Sequence, residues 1–320
     1  MNKPKVSVVV PVYNVSDYVA RCLDSLIDQT LNKIEIIVVN DASPDPEDEK
    51  ICLAYAEKDS RIKYIKHDQN LGLGGARNTG IKHATAKYIG FVDSDDWVET
   101  DMFEKLHQAI KKSKADISQC YFMEHKGAKS NVRKLKKFRK QKDVLNATNV
   151  LFWNKLFRRK LFTGNDIYFP EQHSLEDLAT MPRLLYHVDS IVQVKKPLYH
   201  YVVTRSGALT ANYDRIFADH SVVFSIIQEY MRERQVWKRD KLFFEKRVLK
   251  SLLHDVRRFS KDDLFSEREK REILSNHFTK SLTFLSKPEK IKLDSIEDTE
   301  LSLISYKRKL DVKTLLKAGR

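Results

Sequence analysis

Tyr88–Val98, YIGFVDSDDWV, decides how the rest of the chain is read. It opens on a short apolar run, Tyr88-Ile89-Gly90-Phe91-Val92, rich in β-favouring side chains and too short for a helix, so it reads as a buried strand. The run stops at Asp93-Ser94-Asp95-Asp96, with Trp97 behind it. Carboxylates crowded at the mouth of a buried strand repel one another and are costly to desolvate unless a cation sits among them. Hard divalent cations take oxygen ligands, and Mg²⁺ prefers one or two carboxylates plus substrate phosphates. In an open α/β sheet the carboxyl end of a strand is where ligands bind. The turn therefore points to a metal–phosphate site. The bland alternative is a solvated acidic turn, and the sequence upstream decides against it.

Upstream, Val6-Ser7-Val8-Val9-Val10 is a β-branched run ended by Pro11, as in a buried parallel strand. Pro11-Val12-Tyr13-Asn14 follows as a loop, and Ser16 or Asp17 can cap a helix through about Gln29. Ile34–Val39 is a second buried strand, closed by Asn40-Asp41-Ala42-Ser43-Pro44-Asp45; a helix over Pro46–Lys58 and a strand over Ile62–Ile65 come next. Asn70–Asn78, NLGLGGARN, is a glycine-rich loop opening a helix to about Ala84. The order β-α-β-α-β-α-β with short connections predicts a mostly parallel sheet with right-handed crossovers. Its strand ends share one edge, so Tyr13, Asp41, Arg77 and the Asp93–Asp95 turn can converge on one ligand. The glycine loop is neither GxGxxG after the first strand nor GxxxxGK[ST], which argues against dinucleotide binding and a P-loop. Glycine there is expected to let backbone approach a ligand, with Arg77 at the helix start.

The chain's 320 residues suffice for one large domain or two ordinary ones. No apolar run reaches the length of a membrane span, and the N-terminus lacks the pattern of a signal peptide. Cys22, Cys52 and Cys120 are widely spaced and read as reduced, buried thiols of a cytoplasmic protein. A net charge of +14 favours anionic partners. Zinc-finger, RNP-like and helix-turn-helix patterns are missing, so phosphorylated ligands or an anionic membrane surface are preferred to nucleic acid.

VSVVVPVYN, a strand ending in Asn-Asp-Ala-Ser, LGLGGARNTGI and YIGFVDSDDW, in this order and spacing, resemble the inverting family 2 glycosyltransferases of GT-A fold. The resemblance is strong over about Lys5–Trp97, with a second part from Trp153 to Thr210. It implies a metal-dependent enzyme that moves a sugar from a nucleotide-sugar donor, a UDP-sugar, to a hydroxyl of a glycan, lipid-linked or protein-linked acceptor. Pro11, Tyr13, Asn14, Asp41, Arg77, Asp93 and Ser94 would hold the nucleotide, and Asp95 with Asp93 would bind Mn²⁺ or Mg²⁺. Asp96 and Trp97 would flank the donor sugar. One departure is Asn40-Asp41-Ala42-Ser43, where the family usually has Asp-Asp-Gly-Ser; the acid kept, Asp41, is the one that contacts the nucleobase in the family.

Farther on, Met102–Ile117 reads as a helix and Ser118–Met123 as a strand. Lys126–Lys142 holds nine Lys/Arg and no acid, which predicts an exposed loop or an anion-binding arm. Trp153-Asn154-Lys155-Leu156 matches a family motif near the floor of the acceptor side. In Ser174-Leu175-Glu176-Asp177-Leu178 the resemblance implies the family's Glu-Asp pair. Asp177 would take the acceptor proton and Glu176 would orient the acceptor or its partner. Read without the family, the two acids simply suit a helix's first turn. Ile191–Val194 is a strand; His200 would complete the metal shell or touch the diphosphate, and Arg205 would neutralise the leaving phosphate.

From Tyr213 to Arg320 the pattern turns helical and the resemblance ends. Ser266 with Glu269 has capping-box spacing, and Leu301–Leu316 reads as a final helix. The expectation is a GT-A domain over 1–212, with a donor half to about 120 and an acceptor half from about 150, then an α-helical module over 213–320. That module would serve homo-oligomerisation, peripheral docking at the inner face of the membrane, or acceptor binding. The rival readings are a nucleotidyltransferase, and a non-catalytic nucleotide-sugar-binding module. Cell-wall or capsular polysaccharide, lipid-linked oligosaccharide and a glycosylated adhesin stay open as acceptors.

Overall fold

A computed structural model describes residues 3–135, 150–203, 213–261, 265–273, 276, 278–291 and 296–318. The chain divides into two compact units, Met1–Ala208 and Leu209–Arg320.

The first unit is built on β1 (Val6–Val12) and β2 (Ile34–Asn40), whose residues are all buried. A β-branched run wrapped on both faces needs no polar alternation, which is why both strands read as unbroken apolar stretches. α1 (Ser16–Ile27), α2 (Pro46–Lys58) and α3 (Gly72–His83) alternate with β1, β2, β3 (Ile62–Lys66) and β4 (Tyr88–Phe91). These four strands are parallel, in the order β3-β2-β1-β4. β5 (Trp97–Val98), α4 (Met102–Ser113), β6 (Ile117–Lys126), β7 (Lys129–Arg133), β8 (Lys155–Arg158), α5 (Lys160–Thr163), α6 (Glu176–Leu185) and β9 (Ile191–Val202) follow. The sheet continues β4-β8-β6-β9-β5, with β7 hydrogen-bonded to β6. β8 runs antiparallel to β4 and β6, so the motif strand of Lys155 lies beside the strand that carries the acidic turn. The α/β sheet expected of a GT-A domain is present, parallel through its N-terminal half and mixed beyond it.

Local boundaries differ from the sequence reading in instructive ways. α1 has Val15 at its N-cap and no side-chain cap; Ser16 Oγ instead donates to Asp45 Oδ2 at 2.6 Å, tying the β1–α1 loop to the β2–α2 loop. α4 ends at Ser113 because Lys114 turns left-handed, φ 57°, so β6 starts at Ile117. The basic stretch begins as a β-hairpin rather than a loop, since β7 pairs with β6 over Lys129–Arg133; 136–142 lie outside the described residues. The three cysteines are buried free thiols, as expected.

The second unit comprises α7 (Tyr213–Glu233), α8 (Trp237–Phe259), α9 (Glu267–Ile273), α10 (Thr279–Leu282) and α11 (Ile296–Ala318), with a 3₁₀ turn at Pro288–Lys290. Its core is a cluster of edge-packed rings from Phe217, Phe224, Phe244, Phe259 and Phe278. The capping box forms: Ser266 N–H donates to Glu269 Oε2 at 2.8 Å, and Glu269 N–H donates to Ser266 Oγ at 3.3 Å. No helix among the described residues is long and apolar enough to cross a membrane.

Candidate active site

The end of β4 meets the N-terminus of α6 around one side chain, Arg77. It sits in the body of α3, not at its start, and is 1% exposed. One terminal nitrogen donates to Glu176 Oε1 at 2.9 Å and Asp177 Oδ1 at 2.6 Å; the other donates to Asp93 Oδ1 at 2.9 Å. A planar guanidinium can serve three carboxylates at once because its donors fan out in a fixed fork. Arg77, expected at the nucleotide, bonds to the acids through both terminal nitrogens. The structure does bring Asp93, Glu176 and Asp177 together across 83 residues of chain, the shorter of the two separations.

The electrostatics follow from that count. Burial works against the arginine's charge, but Asp177, Asp93 and Glu176 more than offset it and raise its pKa. One cation among three acids leaves negative charge in surplus. Burial pushes Asp177 well above the ordinary carboxylate range, against the pull of Arg77, and Glu176 is raised for the same reason. Lys155 on β8 is fully buried; its Nζ donates to the Leu151 carbonyl at 2.7 Å and Asn154 Oδ1 at 2.8 Å. Burial pulls its pKa down to about 7, and the charge of Asp177 acts the other way. Sequence reasoning missed Lys155 as a site residue, although a lysine inside the apolar run LFWNKLF was the signal.

The glycines of α3 allow close packing. A Cβ on Gly74 would lie 2.2 Å from the Pro170 carbonyl oxygen, and one on Gly80 2.2 Å from Val9 Cγ1. They let α3 press against β1 and against the segment before α6, which is how Arg77 reaches the Glu-Asp pair. Asn78, also missed, completes the clasp: Nδ2 donates to the Phe169 carbonyl and Oδ1 accepts the Phe169 N–H, both at 2.9 Å.

On the nucleotide side, Tyr13 is 43% exposed at the end of β1, beside Pro11, and Asn14 N–H donates to Ser43 Oγ at 3.0 Å. Asp41 is buried at the end of β2; its Oδ1 accepts from Leu71 N–H at 2.8 Å and faces His67 Nδ1 at 2.7 Å. The departures at 40 and 42 have local explanations. Asn40 uses its amide to accept from Ser43 N–H and donate to Tyr64 Oη, and Ala42 takes φ 53°, the left-handed region glycine occupies at no cost.

The acidic turn divides in two. Asp93 and Asp95 are half-buried, and Ser94 is buried between them. The Asp95 carbonyl accepts from Arg21 at 2.9 Å. Asp96, expected to flank the donor sugar, is 1% exposed, with Tyr199 Oη donating to one oxygen at 2.7 Å and Val202 N–H to the other at 2.8 Å. Burial, then Asp95 and Asp93, raise its pKa well above the usual value. Trp97 is packed, with Arg21 3.9 Å over its ring and His125 and His200 each stacked at 4.8 Å. His200 pairs with Trp97 across β5–β9, and its nitrogens meet Glu99 at 2.8 Å and His125 at 2.9 Å, so it is not offered as a metal ligand. Trp153 is 4% exposed and stacked on Tyr199 at 4.3 Å. Arg205 lies outside the described residues. No cluster of three His, Cys, Asp or Glu stands ready for a metal among the described residues. The carboxylates of Asp93 and Asp95 are hard oxygen donors. They fit a Mg²⁺ or Mn²⁺ ion that takes its other ligands from phosphate and water.

With this geometry in place, the comparisons are informative. The profile described as Glycosyl transferase family 2 matches residues 7–171. EpsH of Bacillus subtilis (strain 168), described as a glycosyltransferase, is 32% identical over 246 residues, 73% of this chain and 71% of its own length. Staphylococcus aureus TarS 1–349, solved in complex with UDP, superposes with a TM-score of 0.70 at 21% identity, covering 95% of this chain and 91% of its own. The mannosyltransferase PcManGT of Pyrobaculum calidifontis, in complex with GDP-Man and Mn²⁺, gives a TM-score of 0.53 at 16% identity, over 98% of this chain and 88% of its own.

Proposed function

The chain belongs to glycosyltransferase family 2 and is a glycosyltransferase, and on that premise we propose a metal-assisted, inverting transfer from a UDP-sugar to a hydroxyl of a glycan, lipid-linked or protein-linked acceptor. The observation that carries the reading is the Arg77 clamp, which holds Asp177 and Asp93 on a single buried guanidinium. It sets the proton-accepting acid and the acid of the diphosphate turn at a fixed spacing, as attack and departure on one carbon require. Tyr13 stacks on the base, Asp41 accepts from it, and Pro11 and Asn14 shape the loop against the nucleoside. Asp95 and Asp93 would hold the divalent cation, whose charge offsets that of the departing diphosphate.

Arg77 keeps Asp177 Oδ1, so the other oxygen, Oδ2, takes the proton from the acceptor hydroxyl. The hydroxyl oxygen bonds to the anomeric carbon from the side opposite the diphosphate as the bond to the phosphate oxygen breaks, and the configuration inverts. The raised pKa of Asp177 makes it a stronger proton acceptor than an ordinary aspartate. Residues 1–212 serve as the catalytic domain and 213–320 as a module for peripheral contact with an anionic membrane face or for self-association.

The test separates binding from chemistry. Asp177→Asn should bind UDP within about twofold of the wild type by calorimetry while transfer falls on the order of 10²–10⁴-fold. Full transfer by that variant would reassign the base, and release of pyrophosphate instead of UDP would overturn the reaction class.

A further inference from the structure

We propose that His67 is the positioning residue through which this fold selects the nucleobase: it fixes the Asp41 carboxylate so that the remaining oxygen favours a base with an imino N–H, uracil over cytosine. The inference rests on the reading above that Asp41 contacts the base.

The geometry around Asp41 is lopsided. Both of its side-chain bonds fall on Oδ1, from Leu71 N–H at 2.8 Å and His67 Nδ1 at 2.7 Å. Its backbone is held as well: Asp41 N–H donates to the Val12 carbonyl at 2.9 Å, and its own carbonyl accepts from Asn70 Nδ2 at 3.3 Å. A carboxylate rotates about one bond, and two donors on one oxygen stop that rotation with Oδ2 left for a ligand. The side chain is 4% exposed, so one oxygen edge is what it can present.

His67 is itself pinned at three points. Its N–H donates to the Asn40 carbonyl at 2.9 Å, Nδ1 faces Asp41, and Nε2 faces Thr79 Oγ1 of α3 at 2.8 Å. A carboxylate only accepts, so Nδ1 carries the proton toward Asp41, and in the neutral ring Nε2 accepts the Thr79 hydroxyl. The ring thus braces the end of β2 against α3, the helix that carries Arg77. Nothing in a purely structural brace requires an acid at its centre. An acid matters because uracil N3 is a donor and cytosine N3 is a lone pair, which a carboxylate oxygen attracts and repels respectively. A site built to hydrogen-bond a ligand N–H rejects the analogue lacking it, because its own buried group is then left unpaired.

The experiment measures Kd for UDP and CDP by calorimetry with the full chain and Mn²⁺, in wild type, His67→Ala, His67→Asn, Thr79→Val and Asp41→Asn. His67→Ala should weaken UDP about tenfold while leaving CDP nearly unchanged, so the UDP:CDP preference collapses. His67→Asn, whose amide N–H can stand where Nδ1–H stood, should restore most of the preference, and Thr79→Val should lose a smaller part of it. If Asp41→Asn changes the preference and the His67 variants do not, His67 is only a brace and the inference is overturned. If Asp41→Asn leaves the preference intact, the base is read elsewhere and the underlying assignment fails instead. Should His67→Ala not fold, His67→Asn and Thr79→Val decide alone: an unchanged preference in Thr79→Val with a wild-type melting temperature counts against the proposal.

Discussion

At the scale of single residues, Arg77 is where stability and chemistry meet. A buried cation that serves three acids cannot be removed cheaply, because the acids stay behind. Arg77→Met is expected to cost on the order of 3–5 kcal/mol at neutral pH by urea denaturation. The sign with pH follows from the acids left unpaired. Glu176 and Asp177, already raised by burial, lose the cation that lowers them, so their protonated forms are the better tolerated and the loss should shrink as pH falls. A deficit that grows on acidification would mean the acids are solvated and the clamp is misjudged. The raised pKa of Asp177 has its own signature. The base works only when ionised, so kcat should fall as pH drops through a limb displaced upward from the ordinary aspartate range. Lys155 lowers the Asp177 pKa, so Lys155→Met should move that limb to higher pH. Steady-state pH profiles of wild type and variant check both statements.

Elements impose the next constraint, and α3 shows what the sequence could and could not disclose. Its position between β3 and β4 is legible because apolar runs stop at polar clusters and a glycine-rich segment follows the third strand. The purpose of its glycines is not legible, since Gly74 meets Pro170, a residue 96 positions away, and Gly80 meets Val9 on β1. The same holds for Trp97. Its neighbours His125 and His200 come from strands far along the chain, and sheet order follows pairing rather than sequence. Acids at strand ends announce themselves locally; which of them face a ligand and which, like Asp96, fasten a strand depends on partners that arrive later in the chain. A paired prediction follows. Gly80→Ala should lower stability by about 1–3 kcal/mol through overpacking at Val9, with little change in transfer once folded. Gly74→Ala drives a Cβ into a carbonyl that cannot yield and displaces the Asn78–Phe169 clasp beside Arg77, so stability and transfer should fall together. Gly127, φ 56° with nothing within 4 Å of its added Cβ, is the control: alanine there should cost only the left-handed strain, roughly 1–2 kcal/mol. Thermal melts with matched activity assays separate the three.

For the molecule as a whole, the net charge of +14 raises the question of where the excess is displayed. In the helical unit α8 segregates it. Glu245 and Asp255 are buried, and Asp240 is bonded to Arg239 at 2.7 Å. Arg239, Lys246, Lys250, His254 and Arg257 recur at intervals of seven, four, four and three residues, a single side of the helix roughly 27 Å long at 1.5 Å per residue. Arg257 pairs with Glu300 at 2.7 Å, and half-buried Phe243 stands toward the other end of the row, whereas Trp237 packs edge-on against buried Phe244. A straight basic row with an aromatic ring beside it suits a flat anionic surface, where amphipathic rings sit at the headgroups and cations at the phosphates. The full chain is therefore expected to sediment with phosphatidylglycerol vesicles and not with phosphatidylcholine ones, and to be released by salt as the Debye length shortens. At about 1 kcal/mol per cation near the surface, Lys246→Gln with Lys250→Gln should weaken vesicle binding on the order of thirtyfold. Lys250 is exposed and Lys246 partly so, and melting temperatures measured on the same samples separate lost vesicle binding from lost folding. Equal sedimentation with the two lipids, or binding that the double variant leaves untouched, would remove the membrane from the proposed function and leave α8 as a solvated helix face.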